Sequence, residues 1–118
     1  MSWYESSIMN QKGVAKGQAG ERHRLSIEDH EEFHYVYGPY AKPLLEVEPG
    51  AVITVETHDA FEGQITSEQD KPSEKLNFPY LNPQSGPIYV RGAEKGDALA
   101  VRIISIKPRG AQPVGTTC

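Results

Sequence analysis

Apolar residues fall into short runs with β-type alternation, separated by turns rich in glycine, proline and charge. Leu44-Leu45-Glu46-Val47 runs into a turn at Glu48-Pro49-Gly50. Ala51-Val52-Ile53-Thr54-Val55-Glu56-Thr57 follows, rich in β-branched residues. Side chains alternate along a strand, so Ile53, Val55 and Thr57 share one face and Val52, Thr54 and Glu56 the other. Ile88-Tyr89-Val90 predicts another strand, and residues 98–106 a longer one. In that last run Leu99, Val101 and Ile103 alternate, while Ile104 and Ile106 have the opposite parity. Either both faces are buried or a bulge shifts the register. Phe33-His34-Tyr35-Val36-Tyr37 also favours a strand, which Gly38-Pro39 ends.

The remaining segments connect these strands. Ser26-Ile27-Glu28-Asp29 reads as a capping box with at most a short helical turn behind it. Residues 66–87, with Pro72, Pro79, Pro83 and Pro87, form a long loop of the kind that often carries function. Residues 1–24, with Gly13, Gly17 and Gly20 among polar residues, read as a flexible N-terminal tail, which Trp3, Tyr4, Ile8 and Met9 could clip to the body. Residues 25–118 hold the β domain. Glu48-Pro49-Gly50-Ala51 and its strand echo Glu94-Lys95-Gly96-Asp97 and its strand. Each is a tight turn feeding a strand that heads into the core. No segment offers a long amphipathic helix, so the expected fold is all-β, an antiparallel sandwich.

Composition narrows the function classes. The 118 residues are 37% hydrophobic and 24% charged, ordinary for a globular domain. No apolar run reaches the length of a membrane span, and the N-terminus does not read as a secretory signal. The net charge is −4 with no Lys/Arg cluster, which argues against nucleic acid as a partner. The single cysteine, Cys118, cannot close an internal disulfide, so a cytoplasmic protein is expected. As a nucleophile Cys118 has no activating His or Lys near it in sequence, and a small buried residue is the simpler reading.

Two patterns carry chemistry. His30-Glu31-Glu32-Phe33-His34 matches H-E-x-x-H, a spacing that puts two imidazoles on one face of a helix for zinc. Here the helix would be about two turns long before Gly38-Pro39, so an acidic surface turn running into a strand is the expected state. The second pattern is the end of the 51–57 strand. Glu56, Thr57, His58 and Asp59 lead into a turn at Gly63 and then Gln64-Ile65, which look buried. Asp59 is open to reading as a metal ligand, a base or an orienting group, or as a cap for backbone amides.

Five segments in this order resemble the N-terminal part of the acetamidase/formamidase family. They are residues 35–41 (Tyr-Val-Tyr-Gly-Pro-Tyr-Ala), 47–50 (Val-Glu-Pro-Gly), 55–65 (Val-Glu-Thr-His-Asp-Ala-Phe-Glu-Gly-Gln-Ile), 81–90 (Leu-Asn-Pro-Gln-Ser-Gly-Pro-Ile-Tyr-Val) and 92–99 (Gly-Ala-Glu-Lys-Gly-Asp-Ala-Leu). The resemblance covers about residues 30 to 118. Asp59, Gly63 and Gln64 match a family signature Asp-Ala-x-x-Gly-Gln-Ile, and Asn82, Gly86 and Pro87 match Asn-Pro-x-x-Gly-Pro. His34 stands where these enzymes often have a histidine. Ala51 departs from a common Pro-Gly-Asp and should change the turn rather than the chemistry.

The resemblance implies a β-rich, sandwich-like fold and hydrolysis of a small linear amide to carboxylate and ammonia. It assigns catalysis to Asp59, His34 and Gln64, and substrate binding to Asn82, Gly63 and Gly86. It also implies a divalent metal, zinc or calcium, with Asp59, His58 and His34 as candidate ligands, and a homo-oligomer. Family members continue past Gly115-Thr116-Thr117-Cys118 with a further strand and acidic motifs. The C-terminal half is therefore expected from a second chain or a missing segment, and the isolated chain should be inactive. The apolar residues on both parities of 98–106 fit a partner that covers them. The reading from a different class is a non-catalytic subunit or small β-sandwich binding module that keeps the family fold.

Overall fold

The computed structural model describes residues 20–108, Gly110 and Gly115, and the backbone pairing of residues 2–10. The Cys118 reading, residues 11–19 and the side chains of Trp3, Tyr4, Ile8 and Met9 lie outside the described residues.

The strands run β1 (Ser2–Asn10), β2 (Arg22–Leu25), β3 (Leu45–Val47), β4 (Val52–Thr57), β5 (Ile88–Val90) and β6 (Leu99–Pro108). Among the described residues, helix is confined to α1 (Pro72–Lys75) and a 3-10 turn at Ile27–Asp29. The all-β class follows. One sheet has the order β2-β4-β1-β6, and a second pairs β3 with β5. The pairing is mixed rather than antiparallel throughout. β1 runs antiparallel to both β4 and β6, while β2 with β4, and β3 with β5, are parallel. Runs of three or four apolar residues carry no mark of partner direction. The long connections 26–51 and 48–87 supply the crossovers that parallel pairs need.

Ser2–Asn10 fills the slot between β4 and β6, although its residues read as part of a tail. An inserted strand needs backbone partners more than an apolar period. Close approach has a further requirement at Gly20: a Cβ there would lie 1.9 Å from the Gly50 carbonyl oxygen. Glycine lets β2 enter beside β4, and Val52 N–H then donates to the Glu21 carbonyl at 2.9 Å.

The core sits between the sheets. Val47, Ala51, Ile53 and Val90 are buried together, with Leu45, Val55, Ile88 and Ala93 packed against them. This face-to-face packing is sandwich-like. The Ile53/Val55 face of β4 meets β3 and β5, as alternation predicted, and each full burial of such a side chain contributes about 1.5–3 kcal/mol. On the other parity of β4, Glu56 is buried at 4% exposure. Its carboxylate pairs with Arg24 of β2 and accepts the Ile27 N–H at 3.2 Å.

The two echoed turns are alike in hydrogen bonding. Ala51 N–H donates to Glu48 O at 3.1 Å, and Asp97 N–H to Glu94 O at 3.0 Å. Gly50 and Gly96 both take positive φ, 90° and 102°. The strands they feed differ: β4 enters the core, whereas Leu99, Val101, Ile103, Ile104 and Ile106 of β6 are 49–59% exposed. The register between β1 and β6 jumps so that Glu5 faces Ser105 and Ser6 faces Ile103. Ile104 is the extra residue of a β-bulge, which reverses the parity. The apolar residues on either side of it therefore gather on one face.

The expected strand at 33–37 reduces to one bridge, His34 with Gln84. The expected long loop at 66–87 is present, interrupted by α1. Its first turn is tied by Asp70, whose Oδ2 accepts from Thr66 N–H at 2.8 Å and Ser67 N–H at 2.9 Å. These bonds hold the Asp70 carboxyl down at a pKa of about 2.

Candidate functional site

Two loops meet beside the end of β4. The His34–Gln84 bridge joins the Tyr-Gly-Pro segment to the Asn-Pro-x-x-Gly-Pro segment, with Gln84 N–H donating to His34 O at 2.9 Å. Ser85 Oγ donates to the Glu56 carbonyl of β4 at 2.7 Å. Between the loops lies a cavity of about 260 Å³ whose wall includes His34, Tyr37, Gln84, Ser85, Gly86 and Pro87. A wider cleft of about 460 Å³ shares Tyr37, Gln84 and Ser85 and adds Val55, Thr57, Asn82 and Pro83. Asn82 is exposed on its rim with φ 58°, a left-handed conformation asparagine tolerates.

Asp59 stands elsewhere on the same strand end. It is exposed, and its Oδ1 accepts the N–H groups of Phe61 at 2.7 Å and Gly63 at 3.3 Å. Phe61 is buried and anchors the turn. Glu62 and Gly63 follow with φ 54° and 76°. Two successive left-handed residues turn the chain outward, so Gln64 is exposed rather than buried, with Ile65 only half-buried. Asp59, Gly63 and Gln64 line neither of the two cavities. Asn82 is likewise exposed, so a buried Asn–Gln pair around an amide does not form within this chain.

His58 is half-buried, packed edge-on against Phe33 at 5.1 Å between ring centroids. Its Nδ1 is buried without a hydrogen-bond partner among the described residues. An orphaned imidazole nitrogen suits a metal, but among the described residues no three His, Cys, Asp or Glu side chains gather to hold one. His34, His58 and Asp59 do not make a zinc or calcium site by themselves.

Three features were not foreseen. His30, read as part of a surface turn, accepts the Gly86 N–H at 3.0 Å through Nε2 and stacks on Phe33 at 4.6 Å. The H-E-x-x-H helix does not form: His30 is extended at φ −94°, ψ 116°, and His34 lies in the bridge. Tyr35 donates its hydroxyl to the Glu62 carboxylate, which steadies that left-handed residue. This bond, with burial and the carboxylate charge, pushes the Tyr35 pKa up to about 12. Glu56 with Arg24 closes the third. The alternation of β4 put Glu56 on one face with Val52 and Thr54, but nothing in spacing marked it as buried or named Arg24 as its partner.

The model of the acetamidase/formamidase family matches residues 21–118. The chain belongs to this family. A crystal structure of an acetamidase from Yersinia enterocolitica is similar at 54% sequence identity and a TM-score of 0.65. The alignment covers 76% of this chain and 27% of that one, so the chain spans roughly a quarter of that acetamidase. Among curated proteins there is no match. Both signature segments of the acetamidase/formamidase resemblance lie in the matched region. One of them supplies the Gln84–Pro87 wall of the cavity, the other the Asp59–Gln64 turn. Among the described residues no helix is long and apolar enough to cross a membrane.

Proposed function

We propose that this chain forms one part of an enzyme that hydrolyses a small linear amide to a carboxylate and ammonia. The observation that carries the reading is the family match over residues 21–118, one of whose signature segments walls the cavity through Gln84–Pro87. A space of about 260 Å³ suits a small substrate, at the low end of ligand cavities. Gln84 and Ser85 offer donors and acceptors to the two ends of an amide group. Asn82 shapes the neighbouring cleft.

Water adds to the amide carbon as its proton passes to a base, the carbonyl oxygen takes up negative charge, and the carbon–nitrogen bond breaks as nitrogen gains a proton. His34 on the cavity wall is suited to move that proton. Asp59 has Oδ1 engaged in its turn; in this reading its other carboxylate oxygen serves the chemistry of the assembled enzyme. Gly63 and Gln64 present the same turn toward a surface completed from outside this chain. Any zinc or calcium ion would likewise take most of its ligands from there.

The exposed apolar face of β6 supports packing against a further polypeptide, a second chain or additional sequence of the family's length, and assembly into a homo-oligomer. Cytoplasmic placement belongs to the same proposal and rests on the single cysteine. One observation favours the second reading, a non-catalytic β module: Asp59 serves as a turn cap and lines neither cavity. Ammonia release from acetamide or formamide by the assembled protein separates the two. Turnover supports the amidase, and a well-folded assembly without turnover supports the module.

A further inference from the structure

His30 ties together two segments far apart in the chain. Its Nδ1 lies 2.9 Å from the Ser26 carbonyl oxygen and 3.2 Å from that of Ile27. Its Nε2 lies 3.0 Å from the Gly86 nitrogen. A carbonyl oxygen can only accept and an amide N–H can only donate. The ring is therefore neutral, with its hydrogen on Nδ1 and a lone pair on Nε2. Gly86 is buried and its N–H would be costly to leave unpaired.

Among the described residues the Gln84–Pro87 wall has four ties: Gln84 N–H to His34 O, Ser85 Oγ to Glu56 O, Gly86 N–H to His30 Nε2, and Leu44 N–H to Pro87 O. Three are accepted by carbonyl oxygens, which do not titrate near neutral pH. The tie of Gly86 ends on an imidazole nitrogen. A proton on Nε2 removes the acceptor and sets two donors against each other.

We infer that His30 is a positioning residue for the cavity: the neutral ring clasps the Gly86 amide in its wall, and proton uptake on Nε2 frees that amide while Pro87 stays tied to Leu44. The charged and titratable groups around the ring are near at hand. Its own segment carries Glu28, Asp29, Glu31 and Glu32. From β4 comes Glu56, bound to the Ile27 N–H, and from β2 Arg24, paired with Glu56. His58 lies beyond the shared Phe33 ring. The wall segment Gln84-Ser85-Gly86-Pro87 has no ionisable side chain. The clasp holds whatever the cavity binds and does not rest on the amidase reading.

Nuclear magnetic resonance of the full chain tests it directly. Two-bond proton–nitrogen couplings of labelled histidine report the His30 tautomer. The protection factor of the Gly86 amide, which removes the intrinsic pH dependence of exchange, reports the clasp. The expected result is the Nδ1–H tautomer when neutral, and a Gly86 protection that falls about tenfold or more once acidification has protonated His30. Gln84, tied to a carbonyl, should keep its protection through the same acidification. In His30→Gln a carboxamide still offers one acceptor and one donor, so Gly86 should stay protected with the pH step erased. An Nε2–H tautomer, a Gly86 amide that ignores the titration of His30, or a step that survives in His30→Gln would overturn the inference.

Discussion

His34 and Gln84 face each other across a single antiparallel bridge, with 2.9 Å between the Gln84 nitrogen and the His34 oxygen. This one contact, between residues 50 positions apart in sequence, brings the segment leading into Tyr-Gly-Pro and the Asn-Pro-x-x-Gly-Pro signature to one cavity. It is short because Gly38-Pro39 stops the chain from extending the pairing on one side and Gly86-Pro87 on the other.

Glu56 is the buried charge on which β2, the 3-10 turn and β4 converge. Glu56→Ala strips the Ile27 N–H and Arg24 of their acceptor. Arg24 is half-exposed and regains water, so the loss is moderate, about 1–3 kcal/mol. Urea unfolding should show a lower midpoint with an unchanged slope. A midpoint equal to that of the parent chain would contradict the role given to Glu56.

Tyr35 should ionise late, at a pKa of about 12. Its folded-state pKa is raised, so the contribution to stability is complete below the ordinary phenol value of about 10 and is lost as pH rises through about 12. The difference between ultraviolet titrations of the parent chain and Tyr35→Phe isolates this group. Glu62→Ala should bring the midpoint back toward 10. A difference titration already centred near 10 in the parent would show that the Glu62 bond does not hold in solution.

Asp59 can be divided into its two roles by substitution. Asparagine keeps an Oδ1 that accepts from Phe61 and Gly63, so Asp59→Asn should fold normally. In the assembled enzyme it should lower amide hydrolysis by roughly a hundredfold or more, since a carboxylate is lost. Asp59→Ala also loses the cap, costing about 1 kcal/mol of stability. Full activity in Asp59→Asn would leave the residue as a turn cap alone.

Much of the sheet was legible in the sequence because β-branched runs and turn chemistry act locally. β3, β4, β5 and β6 lie where alternation placed them, and Ser26 and Asp29 form the expected reciprocal cap. The two parities of β6 pointed to a bulge or to double burial, and the bulge at Ile104 is what occurs. β1 was not legible, since its place depends on β4 and β6 supplying edges on either side. Strand direction was missed for the same reason. At the site, the family signatures located both loops. The outward turn of Gln64 was hidden because it depends on two successive left-handed residues, one of them a glutamate held by Tyr35. His30 was set aside with the H-E-x-x-H pattern, and its tie to Gly86 spans 56 positions that spacing cannot join.

Ammonia release decides whether this chain supplies one wall of an amidase that other sequence completes. The chain alone, a polypeptide spanning the rest of the family's length alone, and the two mixed should each be incubated with acetamide and with formamide, with complex formation checked by size-exclusion chromatography. Catalysis needs an activated water, a polarised carbonyl and a proton donor for the leaving nitrogen held together, and the described residues present only part of that set. Turnover is expected in the mixture and in neither part alone, which is what completion of the amidase by other sequence requires. Robust turnover by the lone chain, or a stable complex that releases no ammonia from either amide, would contradict it.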